Sequence, residues 1–441
     1  MKKLLIMAVA ISGSIAQTAF SQCNTLGDFA NFKPPVIKFT DQDNNTTQGA
    51  KIYHKLVVDK IAYISPVCED ISRHIYFNDT QPLKIDVLNY DILYSDDISG
   101  KSGAPPEIFI QFSTKHVEET WNQTQSDVAV EAEIYGVLFH EMTHGYQQEP
   151  KNAGEYDGQS EFWSEIEGLA DAVRIRAGYH QNRKPSATSS KWLAGYESTG
   201  FFYNWIANNY DVDFLKKLNL SCKTIDPWTF DKAVKKILNK DASTLWNEYV
   251  SVINKGSKPI VKFAADRTLI GTGESVNYTN SSQDALCYDW TFEGGTPRKS
   301  YDKNPTIKYD KEGVYKVTLV AHNKNAIGPG IEVKREYITV TNTTGTNDIS
   351  ASLNKVKISP NPFNEKTAIE FNLEQSGSAS IIIYDQLGKQ VKQIVNQDLS
   401  SGLHQYSWHA EDDNGNKMPA GLYIYRLITN DYSFSGKLII Q

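Results

Sequence analysis

His140-Glu141-Met142-Thr143-His144 sets two imidazoles four residues apart with a carboxylate between them. A helical turn takes about 3.6 residues, so both rings stand on one face and can close on a single ion. Glu141 then sits beside that ion as the expected general base of metal-assisted hydrolysis. The flanks support a helix. From Asp127 to Gln148 there is no proline, only Gly136 and Gly145 interrupt good helix formers, and Ile134, Leu138 and Met142 recur every four residues as a buried stripe. Ser126 or Asp127 would cap the start, and Glu131 and Glu133 fall in the first turns, where the helix dipole favours acid.

A second acidic helix is expected from Phe162-Trp163-Ser164-Glu165 through Arg174, with Glu167 and Asp171 four apart on one face. A catalytic zinc takes three protein ligands and keeps one position open, and two histidines with one glutamate are a common set. Glu167 fits as third ligand to His140 and His144 if the chain returns antiparallel. Asp171 would then accept the outer N–H of a zinc-bound imidazole and fix its tautomer. The competing reading is a solvated face in which Glu167 and Asp171 pair with Arg174 and Arg176. The histidines upstream favour the ligand reading.

Three segments in order carry a resemblance: Phe139 to Gln147, Glu167-Gly168-Leu169-Ala170-Asp171-Ala172-Val173-Arg174, and Trp192-Leu193-Ala194-Gly195-Tyr196-Glu197-Ser198-Thr199. Together they resemble the basic secretory protein family of plant and bacterial peptidases over about residues 30 to 255. The resemblance implies a zincin of the gluzincin type, with His140, His144 and Glu167 as ligands, Glu141 as base, Asp171 behind the ligands, and Zn2+ as the metal. The chain departs from the family's name, since its net charge is −7. Tyr196 is the family-matched candidate for a donor to the oxyanion, with His180 as a local alternative, and packing competes with catalysis for both. Gln147 either lines the cleft or satisfies a backbone group.

The chain has 441 residues, 40% hydrophobic and 11% aromatic, enough for several packed cores. A mean hydropathy of −0.45 excludes a polytopic membrane protein. A mild negative charge without basic blocks argues against a nucleic-acid partner. Met1-Lys2-Lys3, the apolar Leu4 to Ile15 and the small or polar Ala16 to Gln22 read as a secretory signal peptide over residues 1–22, too short to span a membrane. Cys23 directly after it raises a lipoprotein alternative, although Phe20-Ser21-Gln22 lacks the small residue usual before a lipidated cysteine. Of the other cysteines, Cys287 reads as a lone buried thiol and Cys68 with Cys222 as a candidate disulfide.

Upstream of the motif, Lys51 to Ile75 reads as helix punctuated by Pro66, and residues 84–87 and 107–112 alternate with period two as strands. Residues 107–112 are the candidate edge strand bordering a substrate cleft, with a plain core strand as the alternative. Ser95 to Pro106 and Lys151 to Ser160 are expected as loops around that cleft. A further helical region covers about Asp226 to Ile253.

Helical patterning stops at Asn254-Lys255-Gly256-Ser257-Lys258-Pro259. Tyr288 to Pro297 with Gly313 to Leu319 resembles a PKD domain, an Ig-like sandwich, at residues 259–342, in which Trp290 is a core residue. Its expected use is as a spacer or substrate-docking module. After a linker at 343–355, four motifs in residues 356–441 resemble the C-terminal sorting domain of the type IX secretion system of Bacteroidota: Ile358 to Phe363, Ile383 to Gly388, Gly402-Leu403-His404 with Trp408, and Pro419 to Arg426. His404 and His409 are read as structural. The expected architecture is therefore multidomain: an α+β zincin-like metallopeptidase domain over residues 23–255, then two all-β Ig-like sandwich domains. The expected protein is a monomeric zinc endopeptidase, secreted or held at the cell surface, whose partners are a protein or peptide substrate and the secretion machinery. The alternatives are a non-catalytic surface or matrix-binding protein with a structural metal site, and a zinc hydrolase of a non-peptide substrate.

Overall fold

The alternation expected for residues 107–112 is present, but it marks the inside of a sheet. In a computed structural model of the protein, which describes residues 27–180, 183–341, 356–373, 375–385, 390–429 and 433–441, that strand lies between two others. The expected signal peptide at 1–22, Cys23, the linker at 343–355 and part of the Ile383 to Gly388 motif lie outside the described residues. Strands β1 (Val36–Asp41), β2 (Val87–Leu93), β3 (Ser99–Ala104) and β4 (Glu107–Ser113) form one sheet in the order β1-β2-β4-β3. β1 and β4 flank β2 in parallel, and β3 pairs antiparallel with β4. Ile108, Ile110 and Phe112 are buried on one face, and β4 sits inside because it pairs with β2 on one side and β3 on the other. The edge next to the site is β3. Its sequence Ser-Gly-Lys-Ser-Gly-Ala has no bulky apolar residue to bury, the composition of an exposed edge.

Around the sheet pack α1 (Gln48–Leu56), α2 (Lys60–Ile75), α3 (Thr114–Thr124), α4 (Asp127–Tyr146), α5 (Glu161–Arg176), α6 (Tyr196–Asn209), α7 (Phe214–Ser221), α8 (Phe230–Leu238) and α9 (Ala242–Val252). The break in the first helical region falls at Val57 to Asp59, not at Pro66. Asp59 caps α2 by accepting from the Ala62 amide at 2.9 Å, and the helix then runs through Pro66 because Ile64, Val67, Cys68, Ile71 and Ile75 bury a continuous stripe. Ser126 caps α4 and Ser160 caps α5 in the same way. Contacts pair Gln147 with Ile166, His144 with Glu167, His140 with Asp171 and Glu133 with Arg174, so α4 and α5 run antiparallel. α6 backs α5, with the Asn204 amide donating to the Ala172 carbonyl at 2.7 Å.

The following β region comprises β5 (Phe263–Ala265), β6 (Leu269–Gly271), β7 (Glu274–Asn280), β8 (Cys287–Phe292), β9 (Gly295–Thr296), β10 (Lys299–Ser300), β11 (Thr306–Tyr309), β12 (Gly313–His322) and β13 (Gly330–Thr341). Trp290 is fully buried between Phe263 and Phe292 and donates to the Asp302 carbonyl, so it is a core residue, as expected. The chain divides into two compact units. The first contains the residues through Thr268 together with Ser275–Tyr309 and Val314–Ile338, so most of this sandwich belongs to the same unit as the helices. The second contains Leu269–Glu274, Asp310–Gly313 and Thr339–Gln441. Its bulk is a sandwich of β14 (Val356–Ser359), β15 (Thr367–Leu373), β16 (Gly377–Tyr384), β17 (Gln390–Leu399), β18 (Gly402–Trp408), β19 (Gly421–Thr429) and β20 (Ser433–Ile440). The sheets β14-β15-β18 and β17-β16-β19-β20 enclose Ile369, Phe371, Trp408 and Leu427. His404 donates to the Ser400 carbonyl at 2.7 Å, a structural role.

Cys68 and Cys222 are both free and buried, and Cys287 is disulfide-bonded, which reverses both cysteine expectations. Cys68 points at the Ile64 carbonyl within its own helix, and Cys222 at the Leu218 carbonyl within another.

Candidate metal centre

Two caps and one antiparallel register bring the polar groups together. From α4, the His140 and His144 rings meet edge to face with centroids 4.8 Å apart, and their Nε2 atoms lie 3.1 Å apart. From α5, Glu167 Oε2 comes to 3.1 Å from His140 Nε2 and 3.7 Å from His144 Nε2. One donor atom from each residue lies within 4.8 Å of the others. Asp171 Oδ1 stands 2.7 Å from His140 Nδ1, so Nδ1–H donates to it and the Nε2 lone pair faces inward.

Two ring nitrogens and a carboxylate oxygen turned on one point are mutually unfavourable unless a proton or a cation lies among them. Among the protein groups alone, protonation resolves the conflict. Burial disfavours a charge on His140, but the hydrogen bonds that its ring donates to Asp171 and Glu167 outweigh it and push its pKa up to about 10. Burial and the charge on His140 push His144 down to about 3. Burial would raise Glu167 and Asp171, yet His140 holds both below the usual carboxylate range. A divalent cation fits the same point: the donors are two imidazoles and one carboxylate, and their open side faces a cavity of about 450 Å³. Glu141 also lines this cavity, and one of its oxygens accepts from Ser99 Oγ at 2.6 Å. Burial raises its pKa.

Tyr196 stacks on the His140 ring at 5.9 Å between centroids and meets Trp163 edge to face at 5.5 Å. It is 44% exposed and lines the cavity, and burial with Glu167 and Glu141 nearby pushes its pKa up to about 12. His180 is elsewhere: it is buried against Phe201 and Gly328, and burial pushes its pKa down to about 3. Gln147 donates to the Ile166 carbonyl and so serves the backbone. Sequence reasoning put the segments Ser95 to Pro106 and Lys151 to Ser160 around the cleft but singled out none of Ser99, Lys101 and Tyr156 within them. Ser99 and Lys101 line the cavity from β3, and the Tyr156 hydroxyl donates to Glu167 Oε1.

Residues 35–249 match the family model described as "Peptidase of plants and bacteria". Residues 256–340 match a PKD domain model and residues 358–430 an FlgD Ig-like domain model. A comparison with curated proteins finds no match. Among solved structures, the PKD1 domain of the Vibrio cholerae metalloprotease PrtV is 26% identical over 19% of this chain and 98% of its own, with a TM-score of 0.16. The PKD1 domain of Vibrio anguillarum Epp is 24% identical over 20% of this chain and 100% of its own, with a TM-score of 0.16. Dimeric latent PorU from Porphyromonas gingivalis is 12% identical over 43% of this chain, with a TM-score of 0.18, and the match spans 21% of its length. The candidate metal ligands all fall inside the peptidase match. A larger cavity of about 630 Å³, lined by Tyr63, Tyr135, Tyr179 and Lys316, lies apart from these donors.

Proposed function

We propose that residues 35–249 form a zincin-like, zinc-dependent endopeptidase. The observation that carries this reading is the convergence of His140, His144 and Glu167 beside Glu141 at an open cavity, within a stretch that matches a peptidase family. A structural metal site is closed by protein ligands, whereas three ligands facing a cavity suit catalysis. Zinc, when bound, supplies Lewis acidity to a water and to the scissile carbonyl. Glu141 takes the proton of the attacking water and passes it to the departing amine, while Ser99 orients its carboxylate. Asp171 fixes the His140 ring and Tyr156 orients Glu167. Tyr196 donates toward the carbonyl oxygen as charge develops on it. An extended peptide adds to the free side of β3.

In a casein assay, metal-loaded Glu141→Gln is expected to lose about 10²–10⁴-fold in kcat/KM. Tyr196→Phe is expected to lose about 10²–10³-fold in kcat with its metal content intact. Parent-like cleavage by folded, metal-loaded Glu141→Gln removes Glu141 as base, and proteolysis indifferent to chelators removes the metal.

The leader-like residues 1–22 and the four ordered motifs in residues 356–441 support export through the type IX route to the surface or medium. Intact mass of the protein recovered outside the cell tests this. Retention of residues 1–22 there would sink it.

A further inference from the structure

We propose that the first-unit part of the PKD-matched sandwich, residues 256–268, 275–309 and 314–338, is a positioning part of the metal centre, holding the outer ends of α4 and α5 from one side. The inference rests on the metal reading above and concerns what keeps its ligands in register.

Three sets of contacts point this way, all inside the first unit. Lys316 of β12 donates to Glu131 Oε1 at 3.1 Å and to the Tyr135 hydroxyl at 3.1 Å, with its ammonium 4.7 Å from the Tyr135 ring centroid. Arg335 of β13 pairs with the other oxygen of the same Glu131. Both cations therefore grip the N-terminal turns of α4. At the end of α5, Gly178, at φ +89°, passes so close to the sandwich that a β-carbon there would meet Ile331 at 2.9 Å and Val320 at 3.3 Å. The PKD-matched residue Ala326 is buried within the same hydrophobic core as α4 and α5.

Helix geometry turns these ties into control of the site. Glu131 lies nine residues ahead of His140, about 13 Å along a rigid rod, so freedom at Glu131 becomes tilt at the imidazoles. A metal site tolerates only about 0.2 Å in each ligand distance. The charges also suit this role. Glu131 is nearly buried, its oxygens are shared between two cations, and neither tie touches a ligand.

Arg298 supplies the control. It ties the same sandwich to Asp70 and Glu69 on α2, a helix without ligands. In the full-length chain, the double variant Lys316→Ala/Arg335→Ala is expected to bind Zn2+ about tenfold more weakly in competition with a chromophoric chelator. It should also exchange the amides of residues 137–146 faster and lose kcat with little change in KM. Lys316→Arg should retain parent affinity, and Arg298→Ala should lose stability without losing Zn2+ affinity. Equal Zn2+ affinity and equal exchange in the double variant and the parent overturn the proposal, as does an equal affinity loss in Arg298→Ala. A parent that takes up no Zn2+ overturns the zinc reading alone, and the exchange comparison then decides the positioning role.

Discussion

Asp171 reaches from one helix to set a ring on the other, and its carboxylate is buried with His140 Nδ1 at 2.7 Å. In Asp171→Asn the side-chain oxygen can still accept that N–H, so the fold should survive, but the negative charge that strengthens the imidazole as a ligand is lost. Zn2+ affinity is expected to fall about 10–100-fold, read by chelator competition. Unchanged affinity would reduce Asp171 to a packing residue. The pairing of His140 with His144 and of Glu167 with Asp171 was legible in the sequence because residues four apart share a face wherever the helix goes, whereas the meeting of the two pairs depends on how α4 packs on α5. Ser99 and Tyr156 were not legible, since a β-strand edge and a loop deliver them and no spacing rule relates either to His140. The cysteines failed for a related reason. Pairing depends on which surfaces meet in the fold, and nothing in the spacing of Cys68, Cys222 and Cys287 records that.

At the scale of elements, the Glu133–Arg174 pair sets how α4 lies on α5. The Arg174 guanidinium donates to Glu133 and to the Tyr179 carbonyl, both at 2.9 Å, and crosses α4 over Gly136, where a β-carbon would meet Nε and a terminal nitrogen at 2.8 Å. Helix propensity favours alanine over glycine by about 1 kcal/mol. Overpacking a fixed neighbour costs about 1–3 kcal/mol, and Arg174 is anchored at both nitrogens. Gly136→Ala should therefore be destabilised by roughly 1 kcal/mol in urea unfolding. A stabilised variant would show that the guanidinium can retreat. Both site helices were readable, and for α4 the Ser126 cap and the four-residue apolar stripe were local signals, whereas the Ser160 cap of α5 lay in a segment read as loop. Alternation identifies a half-buried strand without telling an edge from an interior position, so of the two readings of residues 107–112 the sheet order selects the core strand. β3, the true edge, has too little apolar content to register as a strand at all.

At the scale of the whole molecule, the switch from helical to strand patterning near residue 256 announced a change of architecture. The grip of the sandwich on α4 was invisible, since Lys316 and Glu131 are 185 residues apart and each alone resembles an ordinary surface charge. The Arg298–Asp70 pair across the same contact gives this association a pH dependence. Burial would raise the Asp70 pKa, but Arg298 and Lys299 hold it down at about 2. The folded value lies below the unfolded value of about 3.9, so the stabilisation is complete above about pH 5 and is lost as pH falls through the folded pKa. Its full size is on the order of 2 kcal/mol, and both side chains are mostly buried, which limits screening. The stability difference between the parent and Asp70→Asn, measured by urea unfolding of the first unit's helices at several pH values, should hold steady from about pH 7 to 5. It should then shrink toward about pH 2, as the parent protonates Asp70 and the variant has nothing there to titrate. A difference that stays constant down to about pH 2 would mean that Asp70 ionises alike in the folded and unfolded chains, and the contact between helix and sandwich would then owe its strength to packing alone.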